Sequence, residues 1–163
     1  MIKPISRFLS SSGVTYLDRV ANYLEERGLS ITEDDIAVIP YASVNYGHYT
    51  KGPNGEHVPL ILEGWAYCIR DYNLDIRENQ YLLRICNVPQ CKVYQTYNKK
   101  EKEVELPKFI QTTKHHIIHF THNALDFHTA PVVMIHEKIS SAELAKKTLS
   151  VPSIAISGCG GWG

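Results

Sequence analysis

The sequence predicts an α+β fold of two lobes, each with one helix and several antiparallel strands. Three observations predict it. Apolar residues recur at helical spacing near the amino end of the chain and again near its carboxyl end. Between these stretches lie short apolar or alternating runs separated by polar and glycine-containing turns, the pattern of strands joined by hairpins. At 163 residues the chain fits one domain, residues 1–163, long enough to bury a core.

The first helix is expected over residues 15–27. Val14, Leu17, Val20, Ala21 and Leu24 form its apolar stripe, Ser12 and Thr15 stand at its head, and Gly28 ends it as a C-cap glycine would. Tyr16 lies in its first turn beside the stripe, either as an edge-of-core aromatic or as a platform for a stacked base. Residues 36–41 read as a strand, and an irregular stretch over 42–47 leads to His48. Residues 51–56 have loop chemistry, with Asn54-Gly55 as a tight turn. Strands follow over residues 57–62, 65–70, 80–88 and 91–97, and the charged residues 98–103 form a solvated hairpin tip. Further strands are expected over 110–121 and 132–136. Ser140 and Glu143 match a capping box ahead of a second helix over 144–149. The tail, residues 151–163, has little helix or strand propensity and carries Cys159 and Trp162 among its glycines.

Seventeen basic and seventeen acidic side chains leave no formal charge, which argues against a partner as long and anionic as duplex DNA. A small anion held by a few local donors is compatible. No apolar run approaches the roughly 18 residues of a membrane span, and the first residues lack the apolar core of a signal peptide. No membrane partner is therefore expected, and the expected compartment is the cytoplasm. Cys68, Cys86, Cys91 and Cys159 are expected to be free thiols, with Cys86 and Cys91 acting as partly buried small hydrophobes.

The chemistry-bearing stretch is residues 114–129, which holds five of the eight histidines. Within it His119-Phe120-Thr121 forms an H-x-T triplet, and strand alternation puts Ile117, His119 and Thr121 on one face. A second triplet is His48-Tyr49-Thr50. Two imidazoles on opposite sides of a phosphate serve as base and acid near neutral pH, and two threonine hydroxyls hold its non-bridging oxygens. His48, Thr50, His119 and Thr121 together supply what in-line phosphoryl transfer requires.

Paired H-x-[ST] triplets about seventy residues apart resemble the mark of the 2H phosphoesterase superfamily. Within it the layout looks most like the phage-encoded anti-CBASS nucleases, which destroy cyclic oligonucleotide immune signals. That resemblance implies a two-lobed fold around a central cleft and hydrolysis of 3′,5′ linkages without a metal or other cofactor. It implies a cyclic di- or trinucleotide or an RNA-type phosphodiester as substrate, and host-cell cytoplasm as the compartment of a phage-encoded chain. Tyr16 and Trp162 stand where the family's ligand-contacting aromatics would be expected. His57 is an alternative first histidine, with Pro59 in the place of the hydroxyl residue.

Two other readings compete. His115, His116, His119, Asn123 and His128 loosely match an HNH-type metal nuclease site. Alternatively the triplets are structural and the chain is a non-catalytic nucleotide-binding sponge. Trp65 is expected in the core, and Tyr94 and Tyr97 as cross-strand pairs. His115, His116, His122 and His136 are expected on loops or on the opposite strand face. Glu137 is expected as a surface carboxylate, and Lys51 and Arg70 are candidates for added charge near a phosphate.

Overall fold

Two fourteen-residue strands, β1 (Val38–Lys51) and β2 (His57–Arg70), pair antiparallel and form the spine of the protein. The structure is a computed structural model that describes residues 11–31, 38–111 and 117–156; the side chains of residues 11–17, 40, 78 and 79 also fall outside the description. Beside the spine lie β3 (Ile76–Ile85), β4 (Val93–Tyr97), β5 (Lys100–Val104) and β6 (Phe109–Gln111). They make one six-stranded sheet in the order β5-β4-β1-β2-β3-β6, antiparallel at every pairing. A smaller sheet contains β7 (Ile118–Phe120), β8 (Met134–His136) and β9 (Ser153–Ile156), with β9 central, antiparallel to β7 and parallel to β8. Three helices complete this α+β fold: α1 (Ser11–Glu25), α2 (Ala124–Thr129) and α3 (Ile139–Leu149).

The expected interruption over residues 42–47, and the separation of 57–62 from 65–70, are corrected. Both strands run through, because irregular residues are absorbed as bulges. The register of β1 on β2 shifts between Ile39 and Ala42 and again between Asn45 and Tyr49. In the second bulge Gly47 takes φ +79° and donates its N–H to Asn45 Oδ1 at 3.1 Å. Ala42, at the end of the first bulge, pairs with Gly64, where a Cβ would lie 1.7 Å from the Arg84 carbonyl oxygen. Only a glycine lets β3 close on β2 there. Past the end of β3, Asn87 takes over the pairing, accepting from the Glu63 N–H and donating to the Ile61 carbonyl, each at 2.7 Å.

Bulges and glycine bends curl a sheet, and the curl divides the core. Ala42, Val44, Leu62, Ala66, Leu83 and Ile110 pack within the sheet itself. On the other face Trp65, Tyr67 and Ile69 meet Val20 and Leu24 of α1, Ile139 and Ala142 of α3, Ile117 and Ala155. The second half of β2 is therefore buried on both faces, and Trp65 is a core residue as expected.

The first helix closes as its sequence indicates. Gly28 takes φ +73°, its N–H reaches the Glu25 carbonyl, and the Leu29 N–H reaches that of Leu24. Those two bonds make a Schellman cap. Buried Leu29 then joins Leu24 in the core. Asn98 and Lys99 both adopt positive φ, so the expected charged tip is a tight two-residue turn and β5 begins at Lys100.

The carboxyl half differs more. It holds two helices, with Asn123 capping α2 by accepting from the Asp126 N–H. The expected strand over residues 110–121 is instead β6 and β7. The expected capping box does not form: α3 begins earlier, its N-cap is Lys138 without a side-chain bond, and Ser140 and Glu143 are buried. Strand β9 lies in the tail that has little strand propensity, because two strand edges offer it partners. Among the described cysteines, Cys68, Cys86 and Cys91 form no disulfide, but Cys91 is exposed, contrary to expectation; Cys159 lies outside the described residues. Among the described residues no helix is long and apolar enough to cross a membrane.

Gly64→Ala is expected to cost at least about 3 kcal/mol, since the obstructing atom is backbone and cannot swing aside. Gly28→Ala, which meets positive φ and the Leu144 side chain at 3.3 Å, is expected to cost about 1–2 kcal/mol. Urea unfolding of both variants checks the order and the size.

Candidate functional site

The alternation expected around His119 is present. Ile117, His119 and Thr121 are each 1% exposed, whereas Ile118 is 43% exposed. What they face, however, is the interior. The Arg70 backbone N–H donates to His119 Nδ1 at 3.2 Å, so that nitrogen carries no proton. His119 Nε2 must then be the protonated one, and it donates to Glu143 Oε1 at 2.6 Å. Thr121 Oγ1 is likewise engaged: it accepts from the Ser153 N–H and contacts the Ser153 carbonyl and His122 Nδ1 at 2.8–3.0 Å. His119 thus joins the small sheet to β2 and α3, and Thr121 ties the end of β7 to β9 within that sheet.

The first triplet lies elsewhere. His48, 6% exposed, sits on β1 beside Gln95 of β4, and Tyr49 pairs with Pro59. Pro59 and Arg70 are eleven residue steps apart on β2, about 36 Å of extended strand before curling. The expected convergence of His48 and Thr50 with His119 and Thr121 is therefore corrected. The first triplet stands by the start of β2, opposite Val58 and Pro59, and His119 stands by its end, at Arg70.

The alternative histidine, His57, belongs to a surface cluster. Its ring stacks on Tyr49 at 4.0 Å, and Glu101 gathers His57 Nε2, the Tyr49 hydroxyl and Lys51 Nζ. Hydrogen bonds from Lys51 and then Tyr49 hold the Glu101 carboxyl below its usual pKa. Lys51 is thus engaged away from any phosphate site. Tyr49 and Tyr94 form the expected cross-strand aromatic pair at 6.0 Å; Tyr97 pairs across the turn with Lys100 instead. Of the metal-nuclease set, Asn123 is a helix cap, His128 is exposed on α2, and His115 and His116 lie outside the described residues. The Tyr16 side chain and Trp162 also lie outside them. His136 faces inward, in one row with Ala155 and His119, and not on the opposite face.

The arrangement best suited to a ligand is one that no local motif announces. A cleft of about 400 Å³ opens between the carboxyl end of α1, the β3–β6 edge and the start of α3. Arg27, Arg84, Lys108 and Lys138 line it, against the single carboxylate of Glu137. Its wall is aromatic. Tyr67 stacks on Phe109 at 5.9 Å, and Tyr23 meets Phe109 edge-on at 6.4 Å. Arg27 lies 3.5 Å over the Tyr23 ring, and Arg84 lies 5.2 Å from the centre of Phe109. The Tyr67 hydroxyl is buried, with no well-formed hydrogen bond among the described residues, although the Tyr23 and Ser140 hydroxyls are close enough to bias its ionisation. Burial drives its pKa far above the ordinary tyrosine value, so it stays a neutral O–H. The first turn of α3, uncapped by any side chain, adds backbone N–H groups at the rim.

These residues come from α1, β2, β3, β6 and the approach to α3, which is why their sequence spacing carried no signal. Comparison of the chain with protein-family models, curated proteins and solved structures found no match in any of the three.

The His119–Glu143 pair is expected to behave as a structural bond. Glu143→Gln keeps an acceptor and should cost under about 1 kcal/mol, whereas Glu143→Leu strands the buried Nε2–H and should cost about 2–3 kcal/mol. Chemical unfolding of the two variants checks this. Burial also holds the pKa of His48 below its ordinary 6.5, and burial followed by the nearby Lys146 does the same for His122. The unfolded chain then binds these protons more readily than the native one, so stability is expected to fall as pH drops below about 6.5 and to be insensitive to them above it. Unfolding between about pH 5 and pH 7.5, with His48→Gln and His122→Gln each flattening the slope, tests the sign.

Proposed function

We propose that this chain is a binding protein for a small phosphate-bearing ligand of nucleotide type, seated in the cleft between α1, β6 and the start of α3. The observation that carries the reading is the gathering of four cationic side chains on one aromatic-walled cleft, with the Tyr67 hydroxyl buried at its wall. Arg84, Lys108, Lys138 and the first turn of α3 suit a phosphate, because charge-assisted bonds from guanidinium, ammonium and helix N–H groups converge there. The aromatic wall of Tyr23 and Phe109 suits a planar base, and the Tyr67 O–H is a neutral donor for its edge or for a phosphate oxygen. Cyclic di- and trinucleotides and RNA ends, the ligands that the paired triplets suggest, carry both kinds of group and belong in the test.

Binding without hydrolysis is the reading that the geometry favours. Metal-independent cleavage of 3′,5′ linkages by paired histidines needs both imidazoles at one phosphate, and His119 has both ring nitrogens engaged within the fold. The two-lobed 2H phosphoesterase-like arrangement belongs with that chemistry and gains no support from where the triplets stand.

Titration calorimetry with AMP, adenosine and a cyclic dinucleotide tests the reading. The phosphate-bearing ligands are expected to bind at least about tenfold more tightly than adenosine, and Arg84→Ala to weaken them about 10–100-fold with an unchanged thermal midpoint. Equal binding of adenosine and AMP would overturn the proposal. Turnover in excess chelator that is lost in both His48→Ala and His119→Ala, with folding intact, would restore the paired-triplet mechanism.

A further inference from the structure

His48 is left without a role once the two triplets are separated, and its surroundings give it one. Its Nδ1 is buried and has no hydrogen-bond partner among the described residues, although the residue lines a cleft of about 560 Å³ at the mouth of the curled sheet. Tyr46 stacks on the ring at 5.8 Å with the planes 17° apart, which holds the plane of the imidazole. A buried nitrogen held in one plane with no such partner is a group positioned for something that is not part of the protein.

The rest of the lining says what kind of group would satisfy it. Gln95 and Gln111 bring amides that both donate and accept, Phe109 and Tyr46 bring aromatic surface, and the charged side chain is the carboxylate of Glu105. Among the described residues neither a lysine nor an arginine lines this cleft, in contrast to the four on the cleft beside α3. A phosphate would meet no countercharge and would face Glu105. A neutral planar ring with an N–H at its edge meets an acceptor at His48, amides at Gln95 and Gln111, and an aromatic wall. The two clefts meet at β6, since Phe109 and Gln111 line both.

We propose that the mouth of the curled sheet around His48 is a second binding site, specific for an uncharged planar heterocycle that donates an N–H to His48 Nδ1, such as a purine or pyrimidine base. It is distinct from the phosphate cleft, with which it shares Phe109 and Gln111 on β6, and uses His48 as a recognition residue, not as an acid or base.

The test is a nitrogen-15 histidine-ring NMR titration of the full chain with adenine, uracil and inorganic phosphate, the His48 signals being assigned by their loss in His48→Phe. Adenine or uracil is expected to move the His48 Nδ1 resonance saturably, and phosphate to leave it in place. Gln95→Ala is expected to weaken base binding by about fivefold and His48→Phe by at least about tenfold, while Arg84→Ala, in the other cleft, leaves it unchanged. A His48 signal unmoved by the bases, an equal shift with phosphate, or base affinity indifferent to both Gln95→Ala and His48→Phe would overturn the site. A failure of the phosphate cleft would show separately, as AMP binding no more tightly than adenosine.

Discussion

The close approach of β3 to β2 at Gly64 is the constraint on which the rest depends. Where a side chain would collide with the Arg84 carbonyl, a glycine lets the strands pair, and the first bulge of β1 ends directly opposite. Past that point β2 enters the interior, with an inner core on one face and α1, α3 and the small sheet on the other. Trp65, Tyr67 and Ile69 follow Gly64 within that stretch, so the aromatic wall of the basic cleft is placed by the same bend that closes the sheet.

The second constraint is polar. His119 bridges the Arg70 backbone N–H and the Glu143 carboxylate, and Thr121 bridges the backbone of Ser153, so four chain segments meet through hydrogen bonds in a dry layer. Buried polar groups of this kind are costly unless each has its partner, and their geometry selects one arrangement over near alternatives. By fixing where α3 begins, this layer carries Lys138 and the uncapped first turn to the rim of the cleft that holds Arg27 and Arg84. The histidine that looks most chemical in the sequence thus contributes by building a site it does not enter.

Charge separates the two clefts on either side of β6. One gathers Arg27, Arg84, Lys108 and Lys138 around aromatic rings, and the other sets a buried neutral imidazole among amides and a carboxylate. In a chain of zero net charge such local sorting comes from tertiary placement, since the cations belong to four separate stretches of sequence.

Local chemistry was legible. The stripe Val20-Ala21-Leu24 and the glycine at 28 wrote α1 and its cap, Trp65 announced a core position, and the alternation around Ile117, His119 and Thr121 predicted their shared face. Each of these follows from backbone periodicity or the conformational freedom of one residue. What the shared face would meet was not legible: two H-x-T triplets look alike as letters, yet one faces Glu143 and Arg70 and the other an open cleft. Ser140 and Glu143 had capping-box spacing, and the competing bond to His119 drew Glu143 into the core. By itself the sequence determined the α+β class, the course of α1 and most of the residues that form strands, because those depend on neighbours along the chain. The tertiary structure alone decided which histidines stay apart and where the cations and the buried Tyr67 and His48 atoms gather, because those depend on neighbours that only the curled sheet brings together.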